Sequence, residues 1–528
     1  MMKIKKYTIA GFSALFLLVL TSCTDWLEIQ PESQVLLENY WKTETDVNAV
    51  LNACYRGLTE DAVIYRMIVW GELRSDNMIS NGFPNDRYDM QKILDGDILS
   101  SNTYCSWGSF YTIINYCNTL LYYAPKVIAR DENFTQSDLN RVNAEALTLR
   151  ALCYFYLVRA FKDVPYITDA SIDDTQQYSL AKDSGSVIIQ HITDDLLEAR
   201  KYARETFGKT TAYDKGRITL NAVNALLADV YLWNQQYREC VNACDAVLAD
   251  SKLKLVESDN MYTQVFYRGN SKESIFELNF DEDIQKNNPV YNLYGQIGDI
   301  LGEVGYPATL GYSEENNIIG AYSPFNYKIS STLTESTSDI RAKDFFFLYG
   351  GRYFVFKYAG MSRTEDVTTN VSTYRYRSTT PNWIIYRLSD VMLMKAEALV
   401  QLGGTENYKA ALKMVNATYL RSNPNADSLT IESYASKDAM ESLVLRERQR
   451  ELMFEGKRWF DLVRTARREN STSTLNTYVN HKSVGSTKSL GASVLNAMYM
   501  PISKSELEAN RNLVQNPYYE ESSSSSRN

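Results

Sequence analysis

The chain has 528 residues, 45% of them hydrophobic and 23% charged, and a formal net charge of −9 at pH 7. The two fractions are ordinary for a globular protein, and the acidic balance argues against nucleic-acid binding, which needs a basic face. Tyrosine is abundant, with 39 residues, whereas histidine occurs only as His191 and His481. Two histidines without a nearby cysteine pair lack the ligand set of a zinc site, so we predict neither a metal nor a cofactor.

The first residues of the chain predict a secretion signal. Three lysines within the first six residues precede an apolar run from Ile9 to Leu20, which is too short to cross a bilayer as a helix. Leu20-Thr21-Ser22-Cys23 resembles the lipobox of bacterial lipoproteins. That resemblance implies removal of residues 1–22 and attachment of lipid to the Cys23 thiol and to the new amino terminus. The alternative is an ordinary signal peptide in which Cys23 is incidental.

Apolar residues at helical spacing predict long helices through the first half of the chain. The predicted segments are residues 46–58, 107–123, 139–161 and 187–203. Residues 76–103, between the first two helices, are predicted to form a loop-like insertion. Most of the cysteines after Cys23 are expected to be buried free thiols, and a bridge between Cys105 and Cys117 is left open.

Two predicted helical hairpins suggest a repeat architecture. Thr219 has the character of an N-cap for a helix that a second helix follows after a turn at residues 234–236. A similar pair covers residues 389–399, with Ser389 as the cap and Gly403 as the stop, and residues 408–419. The pairs resemble tetratricopeptide units, whose stacking creates a concave side. An irregular helical bundle is the alternative.

The stretch at 258–378 has a different character, rich in glycine, asparagine, serine and tyrosine. It is predicted to hold loops and short strands, such as residues 274–278 and 353–358. The serine-rich tail at 522–526 is predicted to be flexible.

Two loop-like regions combine aromatic and polar side chains suited to a sugar, whose rings offer apolar faces and hydroxyl groups. The first region runs from Asp76 to Tyr88, and the second from Tyr291 to Tyr312. The candidate ligand-binding residues in them are Asn81, Arg87, Tyr88, Tyr291, Tyr294, Tyr306 and Tyr312. For any single tyrosine the alternative is packing within a loop.

Residues 446–464 are predicted to form a charged helix near the C-terminus. Its apolar face carries Leu452, Trp459 and Val463, and its close charge pairs are Glu455 with Arg458 and Asp461 with Arg464. The glutamates on the helix offer a carboxylate site as one hypothesis, and structural ion pairing as the other, which we favour. These glutamates are Glu447, Glu451 and Glu455.

Three segments carry a resemblance to a known family. They are Arg446-Glu447-Arg448-Gln449-Arg450-Glu451-Leu452-Met453-Phe454-Glu455-Gly456-Lys457-Arg458-Trp459-Phe460-Asp461-Leu462-Val463-Arg464, the segment at 150–166 and the segment at 386–398. Together with the lipobox, these segments resemble the SusD/RagB family of outer-membrane nutrient-binding lipoproteins. In the second segment Lys162 stands where the family has a glycine.

The resemblance implies a mostly α-helical fold with tetratricopeptide-like hairpins, in one SusD-like domain over residues 23–528. That domain would have an N-terminal part at about 23–257, a loop-rich part at about 258–380 and a C-terminal helical part at about 381–520. It also implies a non-enzymatic lipoprotein on the outer-membrane surface, which hands an oligosaccharide to a SusC-like TonB-dependent transporter. The alternatives are peptide capture, as in RagB-like members, a surface glycoside hydrolase, and a scaffold without a ligand.

Overall fold

The computed structural model describes residues 39–80, 88–172, 178–280, 288–294, 310–312, 339–349, 352–358, 361–366, 371–376, 380–480 and 494–520. Cys23 with the apolar run before it, and the serine-rich tail, lie outside these ranges. The described part of the chain is mostly helical, as predicted. Within it, no helix has the length and apolar character needed to cross a membrane.

The four predicted N-terminal helices are confirmed with ends displaced by a few residues, and the structure adds two that the sequence did not predict, Asp61–Ile68 and Tyr88–Leu94. In chain order these helices are α1 (Glu44–Leu58), α2 (Asp61–Ile68), α3 (Tyr88–Leu94), α4 (Gly108–Val127), α5 (Gln136–Phe161) and α6 (Gly185–Tyr202). Thr43 and Thr135 begin α1 and α5 with capping boxes, in which the threonine and an aspartate three residues later accept hydrogen bonds from each other's backbone N–H. These caps fix where the two helices begin.

The prediction of a loop over residues 76–103 is wrong in part, because α3 lies within it. Met90, Ile93 and Leu94 of α3 are buried at helical spacing. The helix has only seven residues, too few for a periodic pattern to separate it from a loop in the sequence.

The first predicted hairpin is present. After the short helix α7 (Thr211–Lys215) come α8 (Leu220–Trp233) and α9 (Tyr237–Leu248), which pack against each other. Thr219 caps α8 as predicted, since its hydroxyl accepts a hydrogen bond from the Ala222 N–H.

The described residues of the loop-rich region form short strands and short helices. These elements, with one strand from earlier in the chain, are β1 (Ile79–Ser80), β2 (Ser274–Leu278), α10 (Val290–Tyr294), β3 (Leu310–Tyr312), α11 (Ile340–Asp344), β4 (Phe346–Tyr349), β5 (Arg352–Val355), β6 (Met361–Asp366), β7 (Val371–Tyr376) and β8 (Trp383–Arg387). One antiparallel sheet has the order β1-β3-β5-β4, while β2 pairs with β8 and β6 with β7. The predicted strand at 274–278 is confirmed, whereas the one at 353–358 ends at Val355.

The C-terminal part returns to helices. They are α12 (Leu388–Leu402), α13 (Thr405–Ser422), α14 (Lys437–Leu452), α15 (Arg458–Glu469), α16 (Ser473–Val479) and α17 (Lys504–Ala509). Helix α12 packs against both α13 and α9, so the two predicted hairpins stack on each other. Gly403 ends α12 with a positive φ of 72°, as predicted. Ser389 is not the cap, because Arg387 stands at that position and directs its guanidinium to the Ser389 hydroxyl.

The predicted helix over residues 446–464 is wrong as a single element, because the chain breaks it between α14 and α15. Phe454 and Gly456 adopt positive φ angles of 69° and 70°. Gly456 lies so close to Gly71 that a Cβ added to Gly71 would stand 1.8 Å from the Gly456 carbonyl oxygen. The Glu72 carboxylate accepts hydrogen bonds from the backbone N–H groups of Phe454 and Lys457, which the break leaves without helical partners.

The buried apolar side chains form one continuous cluster that includes residues from the helices and from β2 and β8. Cys105 and Cys117 are both buried free thiols, so the bridge left open in the sequence is not formed. The other cysteines within the described ranges are also buried and free. Trp459 is 4% exposed, which confirms its predicted place on the apolar face.

Candidate ligand-binding site

The sheet β1-β3-β5-β4 joins the two regions that the sequence singled out. Ile79 in β1 pairs with Gly311 in β3, and Ser80 pairs with Leu310. These partners are more than 200 positions apart in the chain, so only the fold brings them together. Strand β3 also pairs with β5, where Tyr312 lies opposite Tyr353. We call β1, β3, β5 and β4 with the adjoining helix α3 the composite sheet.

Tyr88 is the predicted site residue whose side chain the structure places at the surface. It is the first residue of α3 and is 58% exposed. The ammonium of Lys92, one turn later, lies 5.4 Å from its ring centroid and 2.6 Å from the Asp97 carboxylate. One face of the Tyr88 ring is therefore close to the Lys92 ammonium, which Asp97 holds in place.

Tyr294 is placed elsewhere, and its candidate role is a correction. It is fully buried at 0% exposure, and its hydroxyl donates a hydrogen bond of 3.0 Å to the Phe454 carbonyl. Its ring stacks on Tyr358 inside the core. A ring without an exposed face cannot serve as a platform for a ligand, so Tyr294 is a core residue.

The structure describes only some of the remaining candidate ligand-binding residues. Tyr291 lies in α10 and Tyr312 in β3. Asn81, Arg87 and Tyr306 lie outside the described residues.

Asp76 and Asn77, in the first candidate region, are buried and therefore not accessible to a ligand. Asp76 accepts two hydrogen bonds from the Arg458 guanidinium, at 2.8 Å and 2.9 Å. The Gln449 amide donates to both Asp76 and Asn77, at 2.8 Å and 2.9 Å. The start of the loop that leads to β1 is thereby fixed to α14 and α15.

A buried ionic cluster lies between α14 and the strand-rich region. Its members are all below 10% exposed and have equal numbers of each charge: Arg341, Lys357, Arg387, Arg421 and Arg450 with Glu273, Asp339, Glu447, Glu451 and Glu455. Arg387 at the end of β8 is central, since it contacts Glu273 at 2.7 Å, Glu451 at 2.6 Å and Glu455 at 2.8 Å. This confirms ion pairing as the role of the three glutamates of the charged segment.

Two cations of the ionic cluster connect the composite sheet to the helices. Arg341 in α11, which leads into β4, lies 2.8 Å from Glu447 and 2.9 Å from Glu451 of α14. Lys357, two residues after β5, contacts Glu455 at 2.5 Å. Both cations adjoin the end of the β4-β5 hairpin where Phe346 pairs with Val355. Removing either one would leave a buried carboxylate without that partner, which is destabilising.

The surrounding charges set the ionisation of this cluster. Burial raises the pKa of Glu451, but Arg421, Arg387 and Arg341 lower it more, so the net shift is well below the usual value. Burial raises the pKa of Glu72 to about 7, although Asn77 and backbone N–H groups donate to it. The pKa of Glu455 is also lowered, by Arg387 and Lys357, so neighbouring cations stabilise Glu451 and Glu455 as anions.

A second set of buried charge pairs lies along α15. Asp461 contacts Arg464 at 2.8 Å, as predicted, and also Arg448 at 3.0 Å. The predicted pair of Glu455 with Arg458 is wrong, because Arg458 pairs with Asp76 and Glu455 with Lys357 and Arg387. The break before α15 removes the helical spacing on which that prediction depended.

Sequence reasoning missed Arg341 and Lys357 as anchors of the sheet. Their glutamate partners are about 100 positions away, and no local spacing indicates a contact over that distance. Among the described residues, no group of histidine, cysteine or acidic side chains could hold a metal ion.

The fold and site together define a scaffold of stacked helical hairpins that carries a composite sheet on buried charge pairs. Residues 306–519 match the sequence profile described as "SusD family", and residues 25–232 match a profile described as "Starch-binding associating with outer membrane". The two matches cover most of the chain. The chain is a SusD-like protein.

Relatives and solved structures agree with this assignment. SusD-like protein P38 of Formosa agariphila is 27% identical over 503 residues, which are 88% of this chain and 92% of the relative. SusD-like protein P2 of the same organism is 24% identical over 87% of this chain and 90% of its own. A SusD superfamily structure from Bacteroides vulgatus has a TM-score of 0.70 at 22% identity, and covers 90% of this chain and 99% of that one. A SusD homolog from Bacteroides thetaiotaomicron has the same TM-score at 20% identity, with coverages of 90% and 98%.

Proposed function

We propose that this chain binds a glycan at the composite sheet and delivers it to a SusC-like TonB-dependent transporter of the outer membrane. The pairing of β1 with β3 is the observation that carries the proposal. Because these strands are antiparallel, the end of β1 that leads to Asn81 lies beside the start of β3, which follows Tyr306 in sequence. Tyr88 adds an exposed ring from α3.

The ligand class follows from the chemistry of these regions and from the family. Tyrosine rings stack on the apolar faces of sugars, while amide and guanidinium groups hydrogen-bond to hydroxyls. The profile matched by residues 25–232 has "Starch-binding" in its description. Both favour a glycan over a peptide, which would add main-chain pairing along an exposed strand edge. We infer that residues 23–528 act as one SusD-like domain, consistent with the continuous core.

The burial and pairing of the glutamates in the charged segment favour a non-catalytic role for them. Glycoside hydrolysis needs two carboxyl groups about 5–9.5 Å apart in a cleft that the substrate can enter. Glu447, Glu451 and Glu455 are at most 2% exposed and paired with cations, so a sugar cannot reach them. The surface hydrolase is therefore the weaker alternative.

A double substitution tests the glycan site. Tyr88→Ala combined with Tyr312→Ala should weaken binding tenfold or more, because stacking on each ring contributes on the order of 1 kcal/mol and 1.4 kcal/mol is a factor of ten. A polysaccharide panel in affinity electrophoresis identifies the ligand, and calorimetry measures its affinity.

Tyr122→Ala is the matched control for this test. Tyr122 is 47% exposed on α4 and also has a lysine one turn later, Lys126, 3.9 Å from its ring centroid. Its loss should leave glycan affinity unchanged. Equal affinities of the double variant and the wild type would reject the site, peptide binding without glycan binding would reject the ligand class, and new reducing ends would favour the hydrolase.

Cys23 is the proposed lipid anchor, and its replacement gives a direct result. Cys23→Ala should release the protein from the membrane fraction, since the described helices include none that could span a bilayer. Two or more acyl chains are needed for stable anchoring, and each buried methylene contributes about 0.8 kcal/mol. Fractionation of cells before and after a high-salt wash measures the release. A variant that still sediments with the outer membrane after the wash would contradict the anchor.

A further inference from the structure

A cavity of about 770 Å³ lies away from the composite sheet. It is bounded by α7, the start of α8, the end of α9 and the chain that leads into β2. Pockets that hold small molecules have volumes of about 300–1,000 Å³. The cavity can therefore hold a molecule of saccharide size.

Four lysines line this cavity. They are Lys209, Lys215, Lys252 and Lys272. Lys272 is paired with Glu257 at 2.7 Å, and Lys209 lies 4.3 Å from the centroid of the Tyr213 ring. In the part of the chain that the structure describes, the ammonium groups of Lys215 and Lys252 have neither a hydrogen bond nor an ion pair within 4 Å. Among the described residues, these two ammonium groups are therefore cationic donors without a contact partner.

The acidic side chains around the cavity are more fully engaged. Asp214 accepts hydrogen bonds from the Thr206 hydroxyl at 2.6 Å and the Phe207 N–H at 2.8 Å. Asp250 accepts from the Asn221 amide at 2.8 Å and from the backbone N–H of Lys252 at 3.0 Å. Glu205 is exposed at the rim. Local donors therefore already satisfy two of the three carboxylates.

Lys215 is a half-buried cation of this set. Burial lowers the pKa of its ammonium, while Glu277, Asp250 and Asp214 act against that shift from a distance. The group has lost part of its hydration, and none of the described residues is its partner at contact distance. A ligand anion beside it would replace the missing interaction.

We propose that this cavity is a second binding site, which takes an anionic ligand of saccharide size that carries a carboxylate or a sulfate ester. Lys215 contacts the anionic group and Lys252 supports it from the rim. No aromatic residue is among the described lining residues, so a neutral sugar finds no stacking platform there. The proposal does not depend on glycan capture at the composite sheet.

Calorimetry with D-glucuronate, glucose 6-sulfate and D-glucose tests the site. We expect the wild type to bind at least one of the two anions and to bind D-glucose at least tenfold more weakly. Lys215→Met should weaken anion binding tenfold or more, whereas Lys215→Arg, which keeps the charge, should retain most of it. Inorganic sulfate as a fourth probe distinguishes a sulfated sugar from the free ion.

Two further variants provide a second test of the cavity and a control for it. Lys252→Met changes an exposed side chain and should reduce affinity severalfold even if the Lys215 variants fold poorly. Lys413→Met alters an exposed lysine on α13 that does not line the cavity, and should bind like the wild type. Equal binding by all variants, equal binding of D-glucose and the anions, or binding of inorganic sulfate alone would overturn the proposal.

Discussion

Replacing Arg387 with alanine should destabilise the protein by at least about 3–5 kcal/mol, or prevent its folding. Removing one partner of a buried ion pair leaves the opposite charge without compensation. Here three carboxylates lose their shared cation, namely those of Glu273, Glu451 and Glu455. Since domains are stable by only about 5–15 kcal/mol, this loss takes a large part of the total.

Denaturant unfolding of the Arg387→Ala protein measures this loss, and the yield of folded protein reports complete failure. Arg56→Ala is the control, because Arg56 and Glu60 form an exposed pair at 3.9 Å with side chains 69% and 46% accessible. Such pairs contribute little, so the control should unfold at nearly the wild-type denaturant concentration. If both variants unfold like the wild type, the ionic cluster does not hold the fold together.

The sequence predicts the helical framework well because that framework depends on local chemistry. Thr219 caps α8 through its own hydroxyl, and Gly403 ends α12 because glycine accepts a positive φ. Both signals lie within a few residues of the feature that they specify. The stacking of the hairpins follows from apolar faces that the same periodicity exposes.

Predictions fail where contacts are distant in sequence. The chain breaks before α15 because Gly71 and Gly456 approach closely and Glu72 receives the freed N–H groups. The spacing of residues 446–464 contains no sign of this approach by Gly71, which is nearly 400 positions earlier in the chain. The same reason explains why Glu455 pairs with Lys357 instead of its neighbour Arg458.

The sequence predicts which two regions contain the candidate site, but not which of their side chains are exposed or lie close together. Composition indicates that both regions suit a sugar, yet it cannot separate exposed Tyr88 from buried Tyr294. That difference arises from packing, since Phe454 and Tyr358 enclose the Tyr294 ring. The buried anchors Arg341 and Lys357 could not be predicted either, because their glutamate partners are about 100 positions away in the chain.

Trp459→Ala should lower the free energy of unfolding by about 3–5 kcal/mol, the usual cost of truncating a large buried aromatic side chain. The Arg74 guanidinium lies 4.2 Å from the centroid of the Trp459 ring. The Trp459 indole N–H donates to the Met498 carbonyl at 3.2 Å, and Arg74 donates to the same carbonyl at 2.9 Å. The ring thus fills the space between α15 and the chain around Met498, and its loss would leave a cavity and a less constrained cation.

Comparison with Trp459→Phe separates packing from hydrogen bonding. Phenylalanine retains most of the apolar contact and the ring face toward Arg74 but has no N–H donor, so its cost should be well below that of alanine. Thermal and denaturant unfolding of both variants, with glycan affinity measured under native conditions, tests this order. Because Trp459 is buried beside Arg74 and not at the composite sheet, a folded Trp459→Phe protein should bind glycan normally. A Trp459→Ala protein as stable as the wild type but unable to bind would instead make this segment part of the ligand site.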